Sequence, residues 1–167
     1  MTGPLVVLVG PMGSGKSTIG ALLAEALGVT ARDTDTDVER LEGRAVSDIF
    51  VESGEETFRA LEKAAVADAL ATHGGVLSLG GGAVLDPDTR ALLADHRVVF
   101  LQVGLSEAVK RVGLGIGRPL LLGNVRSRIK ALLDERTPIY ASVADVTVDT
   151  DQRTPEDIVD EIRKALP

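Results

Sequence analysis

Cysteine is absent from the 167-residue chain, which excludes disulfides, thiolate metal sites and cysteine nucleophiles. Aromatic residues are almost as scarce, with three phenylalanines, one tyrosine and no tryptophan. No uninterrupted apolar run approaches the ~20 residues that cross a bilayer. Hydrophobic residues nevertheless make up 44% of the chain. We therefore expect a soluble globular protein whose core is built from Ala, Val, Leu and Ile.

Positive charge is in deficit, with 18 basic against 25 acidic residues and a formal net charge of −7. Such a chain is a poor general binder of nucleic acid or of anionic membranes, so neither partner is expected. The start MTGPLVVLVG has no basic segment before its short apolar run, which predicts a cytoplasmic location. The length predicts one domain over residues 1–167, and we expect a monomer.

Short apolar runs alternate with helical patterns. The runs are Leu5–Val9, Val76–Leu79, Val98–Val103 and Val146–Val148, with a weaker one at Val29–Arg32. The predicted helices are Lys16–Leu27, Asp37–Leu41, Glu55–Ala71, Pro87–Ala94, Ser106–Val112, Val125–Ala141 and one that begins at Thr154-Pro155. Apolar strands separated by helices predict an α/β fold with a parallel sheet covered on both faces.

A phosphate-binding loop follows the first strand. Gly10–Ser17, GPMGSGKS, fits G-x-x-x-x-G-K-S in full and lies between a strand and a helix. Glycines let backbone N–H groups turn toward phosphate oxygens, and the helix N-terminus adds partial positive charge. Lys16 would reach the β- and γ-phosphates, and Ser17 would bind Mg²⁺. The motif predicts a nucleoside triphosphate site without identifying the phosphate acceptor.

Carboxylates follow the weak second strand, in the segment Asp33-Thr34-Asp35-Thr36-Asp37. Asp33 and Asp35 share a face only if the strand has already ended, or else they divide the metal and the acceptor between them. One carboxylate near Mg²⁺ and one near a hydroxyl would suit phosphoryl transfer. The alternative is an acidic cap for the next helix.

Three further features suggest an anion site. Arg59 and Glu62 are helical neighbours beside Phe58, although an exposed ion pair would give the same pattern. Gly80–Gly82 follow a strand at its carboxyl end, where ligands bind in parallel sheets, although a tight turn is the simpler explanation. Arg136 falls on the apolar stripe of its helix and needs an anionic partner there, unless its head reaches water.

These motifs together resemble the shikimate kinase family of P-loop kinases. The matching segments are GPMGSGKST, DTD, the stretch from Ile49 to Glu62, LSLGGGAV, GRPLL and ER.P.Y, in that order over nearly the whole chain. The resemblance implies a five-stranded parallel sheet of order 2-3-1-4-5, a substrate-binding region around 33–62 and a lid around 113–122. It also implies transfer of the γ-phosphoryl group of MgATP to the 3-hydroxyl of shikimate, in the pathway to chorismate and the aromatic amino acids.

The resemblance also implies roles for individual residues. The catalytic residues would be Lys16, Asp35 and Arg118, and the Mg²⁺ ligands Ser17 and Asp33. ATP would be held by Gly13, Ser14, Gly15, Lys16, Ser17, Thr18, Arg118, and Arg111 and Pro155 around the adenine. Shikimate would be bound by Asp35, Arg59, Arg136, Gly80, Gly81 and Gly82, with Phe50, Phe58 and Glu62 as the pocket wall and its support.

Two departures and two rival functions remain open. Arg32 stands where relatives continue an apolar strand, so the sheet edge is expected to be loose, and Val112–Gly117 lacks the polar residues common in a lid. A gluconate kinase of the same fold has a similar acceptor, and an inactive nucleotide-binding module is the rival outside enzymes. A GTPase is disfavoured because no N-K-x-D motif occurs.

The glycines of Gly113-Leu114-Gly115-Ile116-Gly117 predict a lid that closes over the nucleotide and brings Arg118 to the transferring phosphate. We expect Arg118→Ala to lower turnover in steady-state assays by a factor on the order of 10³, because it removes positive charge from the transition state. Substrate affinities should change little. Near-normal turnover would make Arg118 an ordinary surface charge.

Overall fold

The fold is built on a parallel sheet. A computed structural model describes residues 3–116 and 122–166. Its strands are β1 Val6–Val9, β2 Ala31–Asp33, β3 Val76–Ser78, β4 Val98–Gln102 and β5 Val146–Asp149. All pairings are parallel, and the order is β2-β3-β1-β4-β5. The predicted 2-3-1-4-5 sheet is therefore confirmed.

Helices connect the strands. They are α1 Lys16–Leu27, α2 Thr34–Glu42, α3 Val46–Thr72, α4 Pro87–Leu93, α5 Leu105–Ile116, α6 Leu122–Val143 and α7 Pro155–Ala165, with a 3-10 turn at Ala83–Leu85. Gly28 ends α1 in the left-handed conformation, where its N–H bonds the carbonyls of Ala24 and Glu25. Thr154 caps α7 by accepting a hydrogen bond from the N–H of Asp157.

The core lies on both faces of the sheet. One face packs Val7 and Val9 against α3 and against Phe100 and Tyr140. The other packs Val6 and Leu8 of β1 against α1 and α7. All of β1 is buried, which is why its sequence is continuously apolar rather than alternating. Among the residues that the structure describes, no helix is long and apolar enough to cross a membrane.

The helix after β2 begins at an earlier residue than predicted. The strand ends at Asp33, whose carboxylate accepts a hydrogen bond from the N–H of Asp35 and starts α2 at Thr34 instead of Asp37. Helix α3 likewise begins at Val46, nine residues before the predicted start at Glu55. It kinks at Gly54, which has a left-handed φ of 86°. The prediction detected only the part of α3 beyond this kink.

The predicted lid is partly helical. Alternating glycines predicted a loop from residue 113, but α5 continues to Ile116, and α6 begins at Leu122 instead of Val125. The predicted end of α5 at Val112 was therefore wrong, because the helix includes Gly113 and Gly115, and a glycine inside a helix costs only about 1 kcal/mol. Arg118 and the rest of 117–121 lie outside the described residues.

Arg32 stabilises the edge of the sheet at β2, which the sequence predicted to be loose. Its guanidinium contacts Asp37 of α2 at 2.6 Å and Asp68 of α3 at 2.9 Å. It also donates to the hydroxyl of Thr72 at 3.3 Å. A basic residue replaces an apolar one here because two helices present carboxylates to it. The expectation of a loose edge was wrong.

We expect Arg32→Met to lower the free energy of unfolding by about 1–3 kcal/mol in urea denaturation. The reason is that the Asp37 side chain, only 10% exposed, loses its cationic partner while the apolar stem is kept. The control is Lys130→Met, which breaks an ion pair whose partners are 62% and 65% exposed and should cost at most about 0.5 kcal/mol. An equal decrease in the free energy of unfolding of the two variants would contradict the stabilising role of Arg32.

Candidate active site

The loop between β1 and α1 has the shape of a phosphate cradle. Gly10, Gly13 and Gly15 all have positive φ angles, of 154°, 84° and 90°. At Gly10 a Cβ would lie 2.6 Å from the carbonyl oxygen of Leu101, so only glycine fits there. Gly15 begins α1 without any side-chain cap, and the first turn of α1 has no acidic residue. The first N–H groups of α1 therefore stay available to an anion.

Lys16 bends back over this loop. Its Nζ donates to the carbonyl oxygens of Gly10 at 2.6 Å and Pro11 at 3.0 Å. Burial lowers the pKa of Lys16 to about 8, against the opposing effect of Asp35 and Asp33. Phosphate oxygens would offer the ammonium a stronger, charged partner than these carbonyls.

Ser17 and Asp33 meet at the carboxyl edge of the sheet. The Ser17 hydroxyl donates to Oδ2 of Asp33 at 3.2 Å, while Oδ1 of Asp33 accepts the N–H of Asp35 at 2.8 Å. Asp33 thus both caps a helix and faces the phosphate loop. Within the described ranges, no three His, Cys, Asp or Glu residues form a metal cluster. A hydroxyl and one carboxylate fit Mg²⁺, which binds through few protein ligands together with phosphates and water.

Two carboxylates converge on Gly80. A Cβ at this position would lie 2.6 Å from Oδ1 of Asp35 and 2.8 Å from Oε2 of Glu62, so the loop needs glycine here. Burial raises the pKa of Asp35 to about 6, assisted by Asp33 and Glu62 and opposed by Lys16. A carboxylate with such a pKa can accept a proton near neutral pH.

Arg59 is held rigidly on α3. Its guanidinium donates to Glu62 at 2.8 Å and to Glu55 at 3.3 Å. Its Cζ lies 5.9 Å and 5.4 Å from the ring centroids of Phe50 and Phe58. Glu62 is only 3% exposed, so this is not the exposed ion pair that the helix spacing also allowed.

Arg136 approaches the same loop from α6. Its Nε is buried and has no hydrogen-bond partner in the part of the chain that the structure describes. A Cβ at Gly81 would lie 3.8 Å from its Nη1 and 3.6 Å from the N atom of Met12. The guanidinium therefore lies beside the gap between the triple glycine and the phosphate loop, with its Nε shielded from water. An anion placed there would satisfy it.

A cleft of about 570 Å³ joins the two halves of the site. Of the predicted residues it is lined by Gly13, Gly15, Lys16, Ser17, Thr18, Asp33, Asp35, Phe50, Phe58, Arg59, Glu62, Gly80, Gly81, Gly82 and Arg136. A second groove of about 690 Å³ touches Ser17 and Asp33 from another side but contains none of the arginines on the acceptor side. The first cleft therefore brings together the predicted phosphate-side and acceptor-side residues.

Three residues that were predicted to bind the nucleotide do not line this cleft. Ser14 is 1% exposed, and its hydroxyl has no partner among the described residues. Arg111 donates to the carbonyl oxygen of Gly13 at 2.9 Å and to that of Thr150 at 3.3 Å. Pro155 begins α7 beyond Thr150. Arg111 thus joins the phosphate loop to the segment before α7.

Sequence reasoning missed much of the cleft wall. The apolar stripe of α6 was taken as a core stripe, but four of its members, Val125, Ile129, Leu132 and Leu133, line the cleft, as do Arg128 and Met12. Leu132 and Met12 are 43% and 73% exposed. The position of Arg136 on that stripe was the one available sign that the stripe faces a ligand.

Comparison with known proteins gives a consistent result. A sequence profile described as shikimate kinase matches residues 12–167. A shikimate kinase of Thermobifida fusca is 60% identical over 98% of this chain and 95% of its own. One of Streptomyces avermitilis is 57% identical over 99% and 97%. The solved structure of the Acinetobacter baumannii shikimate kinase in complex with shikimate superposes with a TM-score of 0.90, at 34% identity, covering 99% of this chain and 93% of that one.

The Asp35 environment predicts how stability depends on pH. Its pKa is raised from 3.8 to about 6, so its contribution to stability is present below about pH 4 and is lost as the pH rises through about 6. We expect Asp35→Asn to melt no earlier than the wild type at pH 7, with an advantage of at most about 3 kcal/mol. That advantage should disappear toward pH 4 in calorimetric scans.

The matched control is Asp37→Asn, two residues along the same helix. It breaks the 2.6 Å ion pair with Arg32 and should melt earlier at pH 7. An Asp35→Asn variant that melts as early as Asp37→Asn would show that Asp35 is a stabilising first-turn carboxylate of α2 rather than a destabilised carboxylate of the site.

Proposed function

Because the chain belongs to the shikimate kinase family, we propose that its cleft transfers the γ-phosphoryl group of ATP to the 3-hydroxyl of shikimate. The observation that supports this most strongly is the pairing of a phosphate loop with two arginines across one cleft of about 570 Å³. Shikimate is a small carboxylate with three hydroxyls. Its recognition calls for a cationic clamp at one end and a hydroxyl acceptor at the other.

The clamp consists of Arg59, Arg136 and the backbone of Gly80–Gly82. Arg59 is fixed by Glu62, and Arg136 offers a buried Nε that lacks a partner in the described part of the chain. Arginine forks bind carboxylates through two parallel hydrogen bonds, which fixes the orientation of the sugar-like ring. Binding at this end holds the acceptor hydroxyl toward Asp35 and the phosphate loop.

Phosphoryl transfer needs position and charge more than covalent chemistry. Asp35, with its pKa of about 6, orients the 3-hydroxyl and accepts its proton as the oxygen attacks the γ-phosphorus. Lys16 leaves the loop carbonyls for the β- and γ-phosphates, and Arg118 completes the charge stabilisation from the lid. Ser17 and Asp33 would hold Mg²⁺, which neutralises phosphate charge when it is bound.

The remaining nucleotide contacts belong to the proposal as well. The backbone of Gly13, Ser14 and Gly15, with Thr18, would surround the phosphates, and Arg111 and Pro155 would enclose the adenine. We propose a monomer with a single kinase domain as the active unit. Its dependence on ATP favours a cytoplasmic location.

The test is ADP release by the purified protein with ATP and Mg²⁺, with shikimate, gluconate or nucleoside monophosphates as acceptor. We expect turnover only when shikimate is the acceptor. We also expect kcat/KM for shikimate to fall below about pH 6, as Asp35 becomes protonated. Asp35→Asn should lower kcat at least about 100-fold. The folded Lys130→Met variant serves as the active control.

Each rival function has its own outcome in this assay. Gluconate turnover without shikimate turnover would identify the related sugar-acid kinase. ATP binding without ADP release on any acceptor would identify an inactive nucleotide-binding module. Either result would overturn the proposed function.

A further inference from the structure

Tyr140 reaches the triple glycine from the interior of the protein. It is fully buried, and its ring packs against Phe100 of β4 with centroids 5.1 Å apart. Its hydroxyl donates to the carbonyl oxygen of Gly81 at 2.5 Å. The chain's only tyrosine thus connects the core beneath the sheet edge to the loop that lines the cleft.

This hydrogen bond fixes one peptide plane. The carbonyl of Gly81 and the N–H of Gly82 belong to the same planar unit and point in opposite directions. A glycine pair has little intrinsic preference for one orientation of that plane. Among the hydrogen bonds of residues 3–116 and 122–166, neither Gly81 nor Gly82 donates its N–H to an acceptor. The bond from Tyr140 therefore orients a backbone donor that the protein itself does not use.

Arg136 shares this arrangement. It precedes Tyr140 by one helical turn on α6, and a Cβ at Gly81 would lie 3.8 Å from its Nη1. Burial raises the pKa of the Tyr140 hydroxyl, with Arg136 opposing the shift, so the hydroxyl stays a neutral donor at physiological pH. One turn of α6 thus places the guanidinium of Arg136 and the hydroxyl of Tyr140 beside Gly81.

We propose that Tyr140 is a positioning residue for the substrate carboxylate, acting through the peptide between Gly81 and Gly82. Its hydroxyl keeps the free N–H of this peptide turned away from the core, so that the N–H and Arg136 meet the same anion. The inference rests on the proposed function. It assigns a functional role to a side chain that does not line the cleft.

The test is Tyr140→Phe, which removes the hydroxyl and keeps the ring. We expect the KM for shikimate to rise about tenfold, as for loss of one hydrogen bond, with the KM for ATP within about twofold of wild type. Ser142→Ala removes another hydroxyl of α6, which donates to the carbonyl of Ile139, and should leave both KM values unchanged.

A second control separates positioning from general destabilisation. Ile162 lies on α7, in the core between α1, α7 and the sheet, away from the cleft. Ile162→Val makes this side chain smaller and should lower the melting temperature without changing the ratio of the two KM values. A Tyr140→Phe enzyme whose KM ratio equals that of Ile162→Val overturns the positioning role. A wild-type enzyme inactive on shikimate overturns the proposed function and this inference with it.

The wild-type protein provides an independent measurement, because one tyrosine and no tryptophan make its ultraviolet fluorescence report on Tyr140 alone. We expect saturating shikimate to change this emission, since its carboxylate settles beside the peptide that Tyr140 holds. ATP without shikimate should change it less. Unchanged emission in an enzyme that turns shikimate over would also overturn the positioning role.

Discussion

The buried carboxylate of Glu62 is the constraint on which the rest of the site depends. It is 3% exposed, and a charge so deep is strongly unfavourable without a partner, so Arg59 pairs with it at 2.8 Å. That pair fixes the guanidinium of Arg59 against Gly82 and brings the carboxylate against Gly80, where a Cβ would collide with each group. Gly80 and Gly82 are therefore required by the protein's own charged side chains, whereas a Cβ at Gly81 would make only ordinary contacts. The same lack of side chains leaves the backbone of this loop accessible from the cleft.

The same constraint couples Arg59 and Glu62, so that neither can be replaced alone without disturbing the other. Replacing Arg59 alone would leave the Glu62 carboxylate buried without this cationic partner. Replacing Glu62 alone would remove the buried partner that fixes the Arg59 guanidinium beside Phe50 and Phe58. Arg136 has no such carboxylate partner in the described part of the chain, so its buried Nε awaits an anion. One arginine is thus fixed in advance by the protein, and under the proposed function the other is paired by the carboxylate of the ligand.

Much of this arrangement could be predicted from local sequence. The phosphate loop and the parallel sheet follow from local motifs and patterns, and the strand ends that share an edge brought Asp35 and Gly80–Gly82 into consideration together. The strand order 2-3-1-4-5 came from the family resemblance, not from local sequence. Asp33 shows the limit of such reasoning. Cap and site residue were treated as alternatives, yet one carboxylate oxygen caps α2 while the other accepts a hydrogen bond from Ser17 of the phosphate loop.

What could not be predicted depends on contacts between distant segments. Arg32 was expected to loosen an edge, because one of its two carboxylate partners, Asp68, lies 36 positions away in the chain. The contact of Tyr140 with Gly81 was not predicted, because nothing local shows that a glycine 59 positions away offers it a carbonyl.

Under the proposed function, the cleft recognises the carboxylate of shikimate through the clamp formed by Arg59 and Arg136. Isothermal titration calorimetry on the wild-type protein can test it by comparing shikimate with its uncharged carboxamide. We expect the carboxamide to bind at least about 100-fold more weakly, because charge-assisted hydrogen bonds to two guanidinium groups are lost. Equal affinity for the two ligands would contradict a site organised around Arg59 and Arg136.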